Sequence, residues 1–150
     1  MSDPLRITFE VACPAEHAFD VWTTDFGTWW PPDHTVTVQG DVVLEGRVGG
    51  RIYERAADGV EHDWGEIVVW DPPSQLVYLW HIGRERGDAT EVQIRFIPRD
   101  AELSRVEIEH RGWDRLGPAA AARREHNRAG WEGVLAHFRT AAEDRERGDH

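Results

Sequence analysis

The sequence predicts an α+β fold: a curved antiparallel sheet of seven strands, two short helices after the first strand, and one long carboxy-terminal helix. Three observations carry this. Residues 49–82, GGRIYERAADGVEHDWGEIVVWDPPSQLVYLWHI, read as three strands joined by two tight connections, Asp58-Gly59 and Asp71-Pro72-Pro73. An Asp-Gly pair between strand-like runs is a strong hairpin signal, because both central residues take φ > 0. A Pro pair cannot donate to a ladder, so it ends one strand before the next. That meander carries Trp64, Trp70, Tyr78 and Trp80, more aromatic surface than a flat sheet hides, so the sheet must curve around something. The third observation supplies it: Asn127, Trp131, Val134, Leu135 and Phe138 recur at spacings of three and four, one stripe of a long helix.

The elements follow in order. Leu5, Ile7, Phe9 and Val11 alternate with Arg6, Thr8 and Glu10, a half-buried strand by its period of two. Cys13-Pro14-Ala15-Glu16 opens a helix, with Pro14 suited to the first helical position and Glu16 to the positive end of the dipole. Ala18, Phe19 and Trp22 form its apolar side, and a second short helical stretch covers Asp25 to Trp30 until Pro31-Pro32 stops it. A strand region runs from Thr35 to Glu45, interrupted near Gly40, and leads into the meander strands Arg51–Ala56, His62–Trp70 and Gln75–Ile82. The polar run GRERGDA is a hairpin turn; Thr90–Ile97 and Leu103–His110 alternate again. Pro118 opens the long helix, which is expected to end near Glu143, leaving residues 144–150 as a frayed charged tail. With no repeat or linker, residues 1–150 read as one domain.

Composition narrows the chemistry. A net charge of −11 over 150 residues argues against nucleic acid and anionic membrane surfaces, which select basic patches. No run approaches the roughly 18 apolar residues of a membrane span. The start, MSDPLRITFE, lacks the order of a secretory leader, and Cys13 is the one cysteine, so a cytoplasmic location is expected. All 17 basic residues are arginine, which excludes lysine-based Schiff-base and pyridoxal chemistry. Serine occurs only at Ser2, Ser74 and Ser104, none in a G-x-S-x-G elbow. The eight histidines include no H-x-H or H-x-x-x-H pair, so neither metal nor cofactor is expected.

The chain resembles the SRPBCC superfamily, also called the START-like or birch-pollen-allergen helix-grip fold, and within it the branch related to activators of the heat-shock protein 90 ATPase. The matching pieces are VACPAEHAFDVWTT at 11–24, WWPP at 29–32, GG at 49–50, GEIVVWDPPSQLVYLW at 65–80, VEIEHRGW at 106–113 and GWEGVLAHF at 130–138. Their collinearity carries the resemblance. It implies a hydrophobic pocket between sheet and helix, but no single activity, since carriers, polyketide cyclases and co-chaperone domains share the fold.

Tyr78, Trp80, His110, Trp113 and Trp131 form the expected ligand-binding set. His110 is the catalytic candidate: it is in phase with Val106 and Ile108 and so points to the buried face, where a histidine can exchange a proton near neutrality. The bland alternative, a core histidine bonded to nearby backbone, is favoured about two to one. His62, Trp64 and Glu66 share a face by period two, which allows an acid–base pair flanking an indole; a solvent-facing position suits His62 and Glu66 better, with Gly65, Ile67 and Val69 forming the core side. Trp29 and Trp30 either cap a pocket entrance or staple the short helices to the sheet.

Three functions are compatible with these residues. The leading expectation is a binding protein for a small hydrophobic or aromatic molecule. The alternatives are a polyketide-cyclase- or dehydratase-like enzyme using His110 or Tyr78 as acid or base, and a co-chaperone-like module for a heat-shock protein ATPase. A homodimer is compatible with all three.

Overall fold

The computed structural model describes residues 4–37, 40–82 and 85–148. Strict alternation makes β1 (Leu5–Val11), and Pro14, extended at φ −63°, ends the following turn as the N-cap of α1 (Ala15–Thr23) rather than as its first residue. Ala15, Ala18, Phe19 and Trp22 give α1 its buried side. One turn of helix, α2 (Phe26–Trp29), follows; Pro31 stops it, and Pro32–His34 forms a 3₁₀ turn. Gly27 is required there, because a Cβ would lie 2.2 Å from the Val42 carbonyl oxygen.

Six further strands build the sheet: β2 (Asp41–Leu44), β3 (Arg51–Arg55), β4 (Glu61–Asp71), β5 (Gln75–Trp80), β6 (Thr90–Asp100) and β7 (Leu103–Arg111). Their order is β1-β7-β6-β5-β4-β3-β2, all antiparallel, so the first strand closes against the last and β2 to β7 form a continuous meander. A 3₁₀ segment, Trp113–Ala119, leads into α3 (Ala120–Gly148), which lies across the concave face. No described helix is long and apolar enough to cross a membrane.

The α+β helix-grip arrangement agrees with the expectation; several local features do not. Thr35–Thr37 is not strand, because Glu54 draws off its backbone donors, and β2 is only four residues long. Residues 38 and 39 of the expected strand, and 83 and 84 of the polar turn, lie outside the described residues, while Arg86–Asp88 forms a 3₁₀ turn. The long helix continues beyond Glu143 to Gly148, in keeping with the high helix propensity of Glu and Arg; residues 149 and 150 lie outside the description.

The largest correction is in β4. Tyr53 pairs with Asp63 and Ile52 with Gly65, which leaves Trp64 as an extra residue. Ile67 pairs with Tyr78 and Val69 with Val77, which leaves Val68 as another. Each bulge resets the alternation. His62 therefore lies beside Glu54, whereas Glu66 lies beside Arg51 and Leu79, and the two do not share a face. Trp64 is fully buried, and Val69, expected in the core, is 39% exposed while Trp70 turns inward onto Phe19.

Candidate functional site

Aromatic side chains occupy the space between sheet and helices. Trp22 of α1 packs on Trp29, Phe96, Trp131 and Phe138. Beside this cluster, Trp30, Trp64 and Trp80 form a triangle of indoles with centroids 5.3, 5.5 and 5.8 Å apart. Two members of that triangle, Trp30 and Trp80, face a cleft of about 620 Å³. Trp131 and Val134 of α3 form the facing wall, and Ile82 borders it beyond β5. The polar lining comes from Asp33 and His34 on the 3₁₀ turn and from Arg123, His126 and Asn127 on α3. These α3 residues fall at helical spacings of three and four, so one face of the helix presents them together.

Of the five residues expected to line a pocket, Trp80 and Trp131 border this cleft, while Tyr78, His110 and Trp113 lie behind its wall. The phenol of Tyr78 is fully enclosed; burial pushes its pKa well above the usual range. The Trp22 N–H opposes that shift slightly, yet reaches hydrogen-bond geometry with no protein acceptor. Trp113 is buried, donates through Nε1 to the His110 carbonyl at 2.9 Å, and packs its ring, tilted by 42°, 4.3 Å from the imidazole. Neither residue reaches a ligand in the cleft.

His110 is the centre of a buried network. Trp131 Nε1 donates to His110 Nδ1 at 3.0 Å, so in the neutral ring Nε2 carries the proton and donates to Thr90 Oγ1 at 2.6 Å. Thr90 in turn reaches the Trp80 carbonyl at 3.4 Å. The partners are thus side chains and not the backbone of the following loop. Burial, assisted by the charge of Arg123, pushes the His110 pKa down from 6.5 to about 3. Burial and two side-chain partners on the ring nitrogens thus favour the neutral imidazole over the expected exchange of a proton near neutrality. His110 is instead a neutral strut that fixes Trp131 on one wall and is tied through Thr90 to Trp80 on the other.

This has a measurable consequence. The unfolded chain protonates His110 below about 6.5, whereas the folded chain resists until about 3. The unfolded state therefore binds more protons in that window, and stability falls as pH drops through it. His110→Gln is expected to be less stable at pH 7 but to lose less on going to pH 5, read as a flatter dependence of the urea midpoint on pH.

Glu54 holds the other side of the cleft. Its fully buried carboxylate accepts the backbone N–H groups of Val36 and Thr37, each at 2.8 Å, and the Thr37 hydroxyl. The turn carrying Asp33 and His34 thereby hangs from β3. Asp33 Oδ1 lies 3.0 Å from His34 Nδ1, and this contact holds the Asp33 carboxyl below the usual range. Asp33, His34, Arg123 and His126 were missed by the sequence reading. The one local signal for the first two is WWPPDH at 29–34, where two prolines fix Asp33-His34 directly behind the Trp pair.

A family model described as activator of Hsp90 ATPase homolog 1-like protein matches residues 12–143. Among curated proteins no match is found. Among solved structures, the self-sacrificing resistance protein CalC from Micromonospora echinospora shares 28% identity at a TM-score of 0.71, over 95% of this chain and 96% of its own. An anthrahydroquino-γ-pyrone synthase, Txn09, solved as a complex, shares 29% identity at a TM-score of 0.63, over 93% of this chain and 97% of its own. A Nitrosomonas europaea protein with 15% identity and a TM-score of 0.66, over 98% of this chain and 97% of its own, shows the shared fold alone. The match over residues 12–143, together with a seven-stranded antiparallel sheet gripping one long helix, makes this chain a member of the activator of Hsp90 ATPase homolog 1-like family, within the SRPBCC superfamily.

Proposed function

We propose that this protein binds a planar aromatic molecule in the cleft between the Trp30–Trp80 wall and α3. The observation that carries the reading is the cleft itself: about 620 Å³, walled by three indoles, with polar side chains of the 3₁₀ turn and α3 beside them. Ligand sites are commonly of this size, mostly apolar with a few oriented polar groups. The likeness to a synthase named for an anthrahydroquino-γ-pyrone supports the aromatic ligand class. The synthase supports a second reading, an enzyme of cyclase type, for which the Asp33–His34 pair on the rim is the favouring observation. A co-chaperone role fits less well. Among the described residues the exposed large hydrophobics are Val36, Val48, Val60 and Val69, on four separate segments, and make no continuous docking face. A single cysteine, Cys13, enclosed in the core, fits a cytoplasmic setting.

Gly130 provides the test. It sits in the middle of α3, where glycine costs about 1 kcal/mol relative to alanine, and a Cβ there would meet nothing within 4 Å. Packing does not demand a glycine at this point; Gly130 lines the cleft and leaves it open. Gly130→Ala is expected to raise stability by about 0.5–1 kcal/mol in urea titration. Gly130→Leu is expected to keep the fold while weakening binding of a hydroxyanthraquinone at least about tenfold, measured by tryptophan quenching, since a leucine side chain fills the volume the ligand needs. Unchanged affinity in Gly130→Leu would place the ligand elsewhere.

A further inference from the structure

We propose that His34, oriented by Asp33, takes the proton of an acidic hydroxyl on an aromatic ligand, a phenol or enol. This rests on the binding reading above and specifies its ligand class and its chemistry. The pair sits on the rim of the cleft, on a turn fixed by Pro31 and Pro32 and by the Glu54 carboxylate. A carboxylate accepts only, so Asp33 Oδ1 at 3.0 Å selects the tautomer with the proton on Nδ1 and leaves the Nε2 lone pair as the base. The Nε2 edge is turned towards α3: a Cβ on Gly133 would lie 3.6 Å from it. The same helix carries Arg123 and His126 into the cleft lining, and the charge of His137 acts on Asp33. The walls near this base are indoles and Ile82, which exclude water from one side of the ligand without competing for its hydroxyl.

In the step, the ligand O–H bond breaks, its electron pair stays on oxygen, and the proton forms a new bond to His34 Nε2. Asp33 stabilises the imidazolium through the Nδ1–H it already holds, and the imidazolium in turn faces the phenolate or enolate. Return of the proton reverses the step, and no further reactant is consumed. His34 is the proton acceptor; Asp33 is a positioning residue. His110, the candidate the sequence suggested, has no part in it.

The test uses the full-length protein and the dye alizarin, whose phenol and phenolate forms absorb at different visible wavelengths. Affinity is measured separately by tryptophan quenching at a pH where the free dye is neutral. The wild type is expected to raise the phenolate-to-phenol ratio of bound dye at least about tenfold over free dye, equivalent to about one pKa unit. His34→Gln is expected to bring that ratio within about twofold of free dye. Asp33→Asn, which alters an exposed carboxylate and does not threaten the fold, is expected to fall between the two. Bound dye equally ionised in wild type and His34→Gln would overturn the base assignment and leave the cleft reading standing. A wild type that binds the dye without ionising it does the same. No binding at all would overturn both.

Discussion

Trp131→Ala is expected to cost about 3–5 kcal/mol, the range for deleting a large core aromatic, and to abolish ligand binding in the cleft. Three separate losses add here. The indole packs at 6.1 Å from Trp22 and edge-on at 6.0 Å from His110, so the aromatic layer loses its facing wall. Its N–H is the donor to His110 Nδ1, and removing it strands a buried acceptor. Finally, the cleft loses one of its plates. Trp131→Phe keeps one ring but drops the donor and part of the indole volume, so it is expected to cost less than alanine, about 1–3 kcal/mol. Urea denaturation followed by far-UV circular dichroism checks both, and a cost below about 1 kcal/mol for the alanine variant would mean the residue is not part of the core.

Glu54→Ala is expected to cost about 2–4 kcal/mol, because two backbone N–H groups and a hydroxyl lose their common acceptor at once. Glu54→Gln is expected to fall between wild type and alanine, since its amide oxygen serves one donor while its NH₂ group opposes another. The variants should also weaken binding in the cleft, because the Pro32–His34 turn is tethered through these bonds. Thermal denaturation and dye titration on the same samples measure the two effects. If stability falls and affinity does not, the tether is structural only.

Much of the fold was legible because it rests on local periodicity. His110 was placed inward from its phase with Val106 and Ile108, and β7 pairs with β1 without a break from Ser104 to His110, so the phase is conserved along the strand. The helix stripe was legible for the same reason. β4 was misread because two extra residues, Trp64 and Val68, reset its phase, and neither has a composition that marks a bulge. The site was less legible. His110 was singled out correctly as buried, but its partners Thr90, Trp113 and Trp131 come from three other segments, and it is the burial they create that favours the neutral ring. Asp33, His34, Arg123 and His126 look like ordinary surface residues until a turn after α2, the end of β5 and the middle of α3 meet around one cleft. Glu54 reads as an outward residue in a charged strand; only the approach of residues 36 and 37 gives it a buried role.

The indole walls belong to two structures at once, and this sets where the protein is free to diverge. Trp30, Trp80 and Trp131 each show the cleft one edge while the rest of the ring is core, all three being less than a tenth exposed. Resizing the wall to admit a different ring system therefore draws directly on a folding stability of about 5–15 kcal/mol. Exchanges at Asp33 or His126 touch mainly solvent and cost little. Descendants of such a chain can change the charge and hydrogen-bonding of what they accept far more readily than its shape, so new specificities should accumulate as variations of polar pattern on a conserved flat template.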